Sequence, residues 1–132
     1  MFHPKYTSFL ISINIFHGLY MQLYLISFLE SCVFVSSIIY HYKLIPNFRN
    51  YDIILTNSVI LHHFYLYSYH IFEDYLPAIF YILAIGSYIF GCVYNNNIYH
   101  GYLHIYGVIA NILLKNCLVY YSYNSVFSLN IV

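Results

Sequence analysis

Long apolar runs separated by short polar breaks dominate the pattern of this chain. Three runs are clear in its second half: 53–71, 77–94 and 98–121. The breaks between them are the acidic pair Glu73-Asp74 and the asparagine run 95–97. An α-helix rises about 1.5 Å per residue, so about 20 residues cross the hydrocarbon core of a bilayer. Each run therefore predicts a transmembrane helix.

The first part of the chain is almost continuously apolar from Tyr6 to Tyr42. This length fits two spans of about 18 residues, and the turn between them has two candidates, His17-Gly18 and Glu30-Ser31. A secure polar loop follows at 43–51. The pattern predicts an all-α protein: a polytopic transmembrane helix bundle of about five spans, forming a single integral membrane domain over residues 1–132.

Composition supports a membrane protein. Hydrophobic residues make up 62% of the chain and charged residues only 6%. A soluble fold of this size buries only about 60–70% of its unfolded surface, which is too little to hide so many apolar side chains. Four basic residues balance four acidic ones, so no electrostatic feature favours nucleic acid. The three cysteines are too scattered for a disulfide framework.

Five polar residues within or beside the apolar runs form the candidate site: Ser37, His41, Asp52, His100 and His104. Residues four apart share a helix face, which applies to the Ser-x3-His and to the His-x3-His pair. If the five helices alternate in direction, helix 2 ends, helix 3 begins and helix 5 begins on one side of the membrane. This side, called side A, is the side of the 43–51 loop. All five residues are therefore predicted to lie at one membrane depth.

Three imidazoles with a carboxylate and a hydroxyl are typical of a hydrolytic zinc site that keeps one position for water. Zinc at His41, His100 and His104 would lower the pKa of that water toward about 7. Asp52 would then take the water's proton and deliver it to the leaving group, while Ser37 would bond a developing oxyanion or orient a ligand. Each residue also has an ordinary explanation, such as a hydroxyl bonded to the backbone or a carboxylate at a helix N-terminus. Because all five residues are predicted at one membrane depth, a shared site is favoured over these separate explanations.

The order Ser-x3-His, then Asp eleven residues later, then a late His-x3-His resembles the CREST superfamily, which includes the alkaline ceramidases and the adiponectin- and progestin-type receptors. The residues that carry the resemblance are Ser36-Ser37-Ile38-Ile39-Tyr40-His41, Tyr51-Asp52-Ile53-Ile54-Leu55 and Tyr99-His100-Gly101-Tyr102-Leu103-His104. The resemblance implies zinc on the three histidines, Asp52 handling the water's proton and Ser37 beside the metal. It also implies hydrolysis of lipid amides such as ceramides. The family has a seven-helix fold, so this chain resembles a reduced form lacking two spans between helix 3 and the last helix.

Other polar residues admit two interpretations each. Glu30 shares the face of the Ser-x3-His pair if helix 2 is long enough, or it lies at the headgroup level in the turn before that helix. His63 and His70 form a polar track along helix 3, or else His62 and His63 bond to neighbouring helices while His70 lies at the interface opposite side A. Asn111 is expected to make a helix-packing hydrogen bond. Lys115 is expected to snorkel toward the far interface.

The basic residues give the orientation. Lys5, Lys43 and Arg49 are predicted on side A and Glu73-Asp74 on the opposite side, so the positive-inside rule places the site near the cytoplasmic side. Three functions follow from the pattern. The first is a zinc-dependent intramembrane hydrolase of a lipid amide or ester, with a membrane lipid as its substrate. The others are a non-enzymatic, zinc-stabilised protein of membrane remodelling or reception, and a small His-lined channel. The sequence does not identify the substrate, and it is compatible with a homo-oligomer.

Overall fold

The computed structural model describes residues 4–45, 47–70, 74–94 and 96–129, and all regular structure in these ranges is helical. The elements are α1 (Pro4–Thr7), a 3-10 turn (Ser8–Leu10), α2 (Ile11–Tyr20), α3 (Tyr24–His41), α4 (Arg49–His70), α5 (Leu76–Tyr94) and α6 (Asn97–Leu129). The prediction of an all-α bundle is confirmed.

Within the described ranges, three helical segments are long and apolar enough to cross a membrane: Tyr24–His41, Leu76–Tyr94 and Ile98–Tyr123. The protein is therefore of the multi-pass membrane class by helix length and composition. Two of the five predicted spans do not meet the same standard. The helix α2 has only ten residues. The helix α4 has 22 residues but is the least apolar of the long helices, because it carries a carboxylate, an asparagine and adjacent histidines.

The first two predicted spans separate at neither of the expected turns. The break lies at Met21–Leu23, where Gln22 has a positive φ of 60°. Leu23 N–H donates to Gly18 C=O over 2.9 Å, and Gln22 N–H donates to Leu19 C=O over 3.0 Å. These two bonds form a Schellman cap, which usually uses glycine at the left-handed position. Because glutamine occupies it here, no glycine marks the turn in the sequence.

The later boundaries follow the predictions closely. The span expected at 77–94 is α5, and the span expected at 98–121 lies within α6. Asn97, which was expected in a loop, is the first residue of α6. The side chain of Asn96 caps that helix by accepting a hydrogen bond from Ile98 N–H over 2.9 Å.

The last helix, α6, packs against several other helices of the bundle. It packs along α5 and also contacts α2 and α4. One apolar cluster joins α4, α5 and α6 through Tyr67, Tyr81, Ala110 and Leu114. A second cluster joins α2, α3 and α4 through Ile11, Val33 and Val59. Between these clusters the helices enclose a cavity that carries the candidate site.

Candidate metal centre and its cavity

Three imidazoles from two helices converge at one end of the bundle. His41 is the last residue of α3, while His100 and His104 lie one turn apart near the start of α6. One nitrogen from each ring lies within 4.8 Å of the others. Nε2 of His41 lies 3.4 Å from Nε2 of His104. The predicted meeting of these three residues is confirmed, and the group can hold a metal ion.

The donor set fits a tetrahedral metal of the zinc type. Two nitrogens bound to one tetrahedral zinc at about 2.0–2.1 Å lie about 3.3 Å apart. The 3.4 Å between the Nε2 atoms of His41 and His104 is close to that separation. The ligand nitrogens of all three rings lie within 4.8 Å of one another. A hydrogen bond between two neutral imidazoles would have a similar length, so metal content is the observation that separates the two explanations.

Asp52 lies beside this group and is held by two serines of the neighbouring helix. Its Oδ1 accepts hydrogen bonds from Ser36 Oγ over 2.6 Å and from Ser37 Oγ over 3.1 Å. All three residues are buried, and the carboxylate belongs to the first turn of α4. Its other oxygen, Oδ2, accepts no hydrogen bond from the part of the chain that the structure describes.

The role expected for Ser37 changes with this geometry. Its hydroxyl donates to Asp52 and thus positions the carboxylate. Ser36 was not predicted, although the serine doublet was visible in the sequence. Its hydroxyl is shared between Asp52 and the Val33 carbonyl, which lies at 3.0 Å.

Two cavities meet at the site. The inner cavity, of about 160 Å³, runs between α2, α3, α4, α5 and α6 and is bounded mostly by apolar side chains. The outer cavity, of about 230 Å³, is bounded by residues near the side-A loops such as Arg49 and Asn96. Asp52 and His100 border both. The inner volume is many times the 10–15 Å³ or so that one water requires. Part of the candidate site, Asp52 and His100, thus lies between an apolar cavity and a more polar one.

A buried ion pair closes the far end of the inner region, and it corrects the expectation for Lys115. This residue is 0% exposed, and its Nζ lies 2.7 Å from Glu30 Oε2. Its Nζ also donates to the Asn14 carbonyl over 2.5 Å. Lys115 does not snorkel, because a carboxylate from α3 faces it at the same depth. Gly18 leaves room here, since a Cβ at that position would lie 3.3 Å from Lys115 Nζ.

The other polar residues of the interior form a hydrogen-bonded group. Asn111 Oδ1 accepts from Tyr81 OH over 2.5 Å and lies 3.0 Å from His63 Nδ1. The expected packing role of Asn111 and the bonding of His63 to a neighbouring helix are both confirmed. Glu30 belongs to α3 and lines the cavity, as the first of its two interpretations required. The side chain of His70 lies outside the described residues.

No family model matches the chain, and comparisons with curated proteins and with solved structures find no similar protein.

Proposed function

We propose that the protein is a zinc-dependent intramembrane hydrolase that cleaves a lipid amide or ester. The observation that carries the proposal is the position of the histidine group. Three imidazoles lie within metal-ligand distance of one another, two of them, His100 and His104, border an apolar cavity, and a serine-held carboxylate borders the same cavity. The resemblance to the CREST superfamily supports the same assignment, in a form reduced by two spans.

His41, His100 and His104 would hold the metal. Zinc supplies Lewis-acid chemistry, which lowers the pKa of water and polarises a carbonyl. Asp52 accepts a proton from the attacking water and returns it to the departing amine or alcohol oxygen, so the C–N or C–O bond breaks as the new C–O bond forms. Ser36 and Ser37 hold the Asp52 carboxylate in place through Oδ1, which leaves Oδ2 to exchange the proton.

The inner cavity accounts for a lipid substrate. An acyl chain occupies the chamber between the helices, while the scissile bond lies at its mouth beside His100 and Asp52. The outer cavity admits water and releases the polar product. The basic residues Lys43 and Arg49 near this end favour the cytoplasmic side for the site.

Metal content tests the first step of the proposal. Detergent-purified wild type is expected to contain about one zinc per chain by mass spectrometry. The His100→Ala/His104→Ala variant is expected to lose it, because two of the three ligands are removed. The matched control is His62→Ala, a half-buried histidine outside the group. Metal-free wild type that remains monodisperse, or equal zinc in wild type and double variant, would overturn the proposal.

Turnover separates the enzyme from a structural zinc protein. Zinc-loaded protein is incubated with a long-chain ceramide and with a fatty-acid ester, and released fatty acid is measured. Release that disappears in the His100→Ala/His104→Ala variant supports the hydrolase. Stoichiometric zinc without release from either lipid would contradict it and favour the non-enzymatic alternative.

A further inference from the structure

The candidate metal centre is only one of two polar layers in the cavity. Three helices carry a second polar residue eleven positions from a residue of the first layer. The pairs are Glu30 and His41 in α3, Asp52 and His63 in α4, and His104 and Lys115 in α6. Eleven residues are close to three full helical turns, so both members of a pair share a face and lie about 16 Å apart along the axis. The second layer therefore faces the same interior, three turns deeper.

This inner polar layer consists of Asn14, Glu30, His63, Asn111 and Lys115, together with Tyr81. Three of its atoms are buried and have no hydrogen-bond partner among the residues that the structure describes: Asn14 Oδ1, Glu30 Oε1 and His63 Nε2. Each of these three residues is 1% exposed, and each borders the inner cavity. Buried polar atoms without partners are costly, so three around one chamber favour a ligand that donates a hydrogen bond to at least one of them.

The three atoms have the same hydrogen-bonding character. Asn14 Oδ1 and Glu30 Oε1 are acceptors by chemistry. Asn111 Oδ1 is an acceptor that faces His63 Nδ1 over 3.0 Å, so Nδ1 must carry the proton of the neutral ring. His63 Nε2 is then the bare nitrogen of that tautomer and also accepts. The layer presents three acceptors and calls for a donor from the ligand.

The charges of the inner polar layer limit which donor group the ligand can carry. Glu30 is already neutralised by Lys115, whose Nζ lies 2.7 Å from its carboxylate. A cationic ligand group would meet the Lys115 ammonium in a low-dielectric interior, where like charges repel strongly. A neutral hydroxyl avoids this repulsion and supplies the donor. We infer that the inner cavity binds a lipid whose chain carries a hydroxyl group at the depth of the inner polar layer.

This inference names a substrate class for the proposed hydrolase. Cleavage of the hydroxylated lipid rests on the proposed function, whereas its binding does not. The binding itself requires only the cavity and the inner polar layer. A test of binding can therefore fail or succeed independently of zinc and turnover.

The experiment uses three octadecanoic acids: unsubstituted, with a hydroxyl beside the carboxylate, and with a mid-chain hydroxyl about two thirds of the way along, which matches the separation of about 16 Å between the two layers. Their affinities for wild-type protein in detergent are measured by displacement of radiolabelled octadecanoic acid. The mid-chain hydroxyl is expected to improve affinity by about tenfold, the value of one hydrogen bond to a buried acceptor. The acid with the hydroxyl beside the carboxylate is expected to bind like the unsubstituted acid. Equal affinity for all three would overturn the inference, because water would then satisfy the layer.

A variant locates the preference within the cavity. Asn14→Leu removes one acceptor and leaves the Lys115–Glu30 pair, because Lys115 bonds the backbone carbonyl at this position. The tenfold preference is expected to fall to about threefold or less. Thr56→Val is the matched control, since Thr56 borders the same cavity one turn from Asp52 and outside the inner polar layer. A preference lost equally in both variants would contradict the assignment, and if Asn14→Leu does not fold, the wild-type series decides.

The same affinities in the His100→Ala/His104→Ala variant distinguish the two proposals. Loss of the metal centre is expected to weaken all three acids in parallel, with the mid-chain preference kept. Preference without zinc or turnover in wild type would reject the proposed hydrolase and keep the hydroxyl-binding cavity. Turnover without any preference for the mid-chain hydroxyl would keep the proposed hydrolase and reject the hydroxyl-binding cavity.

Discussion

At the scale of single residues, Asp52 is the group whose chemistry is most open to test. Asp52→Asn keeps an oxygen that can accept from Ser36 and Ser37, but it removes the base. Hydrolysis is expected to fall by about 10²–10⁴-fold, the usual contribution of general acid–base catalysis. Zinc content is expected to stay near that of wild type, because the aspartate is not among the metal-binding group. Full turnover in Asp52→Asn would reject its assigned role.

The serine pair gives a second prediction at this scale. Ser37→Ala removes a buried hydroxyl that donates to a carboxylate, and such bonds contribute about 1.5–3 kcal/mol. The free energy of unfolding in detergent micelles is expected to fall by about that amount. Ser58→Ala, whose exposed hydroxyl bonds only its own helix backbone, is expected to change it by less than about 0.5 kcal/mol. Equal stability of the two variants would show that the Ser37–Asp52 bond contributes nothing.

At the scale of helices, the Glu30–Lys115 pair ties α3 to α6. Lys115→Met leaves a buried carboxylate without its counter-charge, which costs about 3–5 kcal/mol of unfolding free energy. Glu30→Leu/Lys115→Met removes both charges and is expected to restore most of that loss. Chemical denaturation in micelles measures both variants. A double variant less stable than the single one would mean that the ion pair itself stabilises the bundle.

The elements also show what the sequence could and could not predict. The candidate site followed from residues four apart on a helix and from the alternation of helix direction, both of which are periodic properties. The turn at Gln22 was missed because a Schellman cap without glycine has no compositional signal. The same cap ends α3 with a positive φ at Lys43. The partner of Lys115 is not predictable from α6 alone, because Glu30 belongs to α3 and only helix packing brings the two together, although the eleven-residue spacing of Lys115 from His104 is visible in the sequence.

At the scale of the whole molecule, the metal centre constrains the topology. His41 ends α3 and meets His100 at the start of α6, so these two helix ends lie on one side. If α5 crosses the membrane to reach α6, then α4 must cross in the opposite direction. Its 22 residues extend about 33 Å, enough for a bilayer core despite its polar residues.

Labelling tests this arrangement. In a cysteine-free background, Lys43→Cys and Asn96→Cys are expected to react with an impermeant thiol reagent from the same side of the membrane. Tyr75→Cys is expected to react from the other side. A protein with only three spans, in which α4 does not cross, would place Lys43→Cys and Asn96→Cys on opposite sides. The side shared by the first pair also tests the cytoplasmic orientation.

The ion pair has a consequence for biosynthesis. A nascent chain delivers α3 to the membrane before α6 has been made, so Glu30 enters without the cation that neutralises it. Likewise, the histidine group is incomplete until α6 adds its two histidines to the one in α3. Both polar layers are completed by the same late helix. Synthesis of α6 is therefore the step that converts a set of inserted helices into a stable bundle, and a chain arrested before it retains a carboxylate that hydrocarbon disfavours.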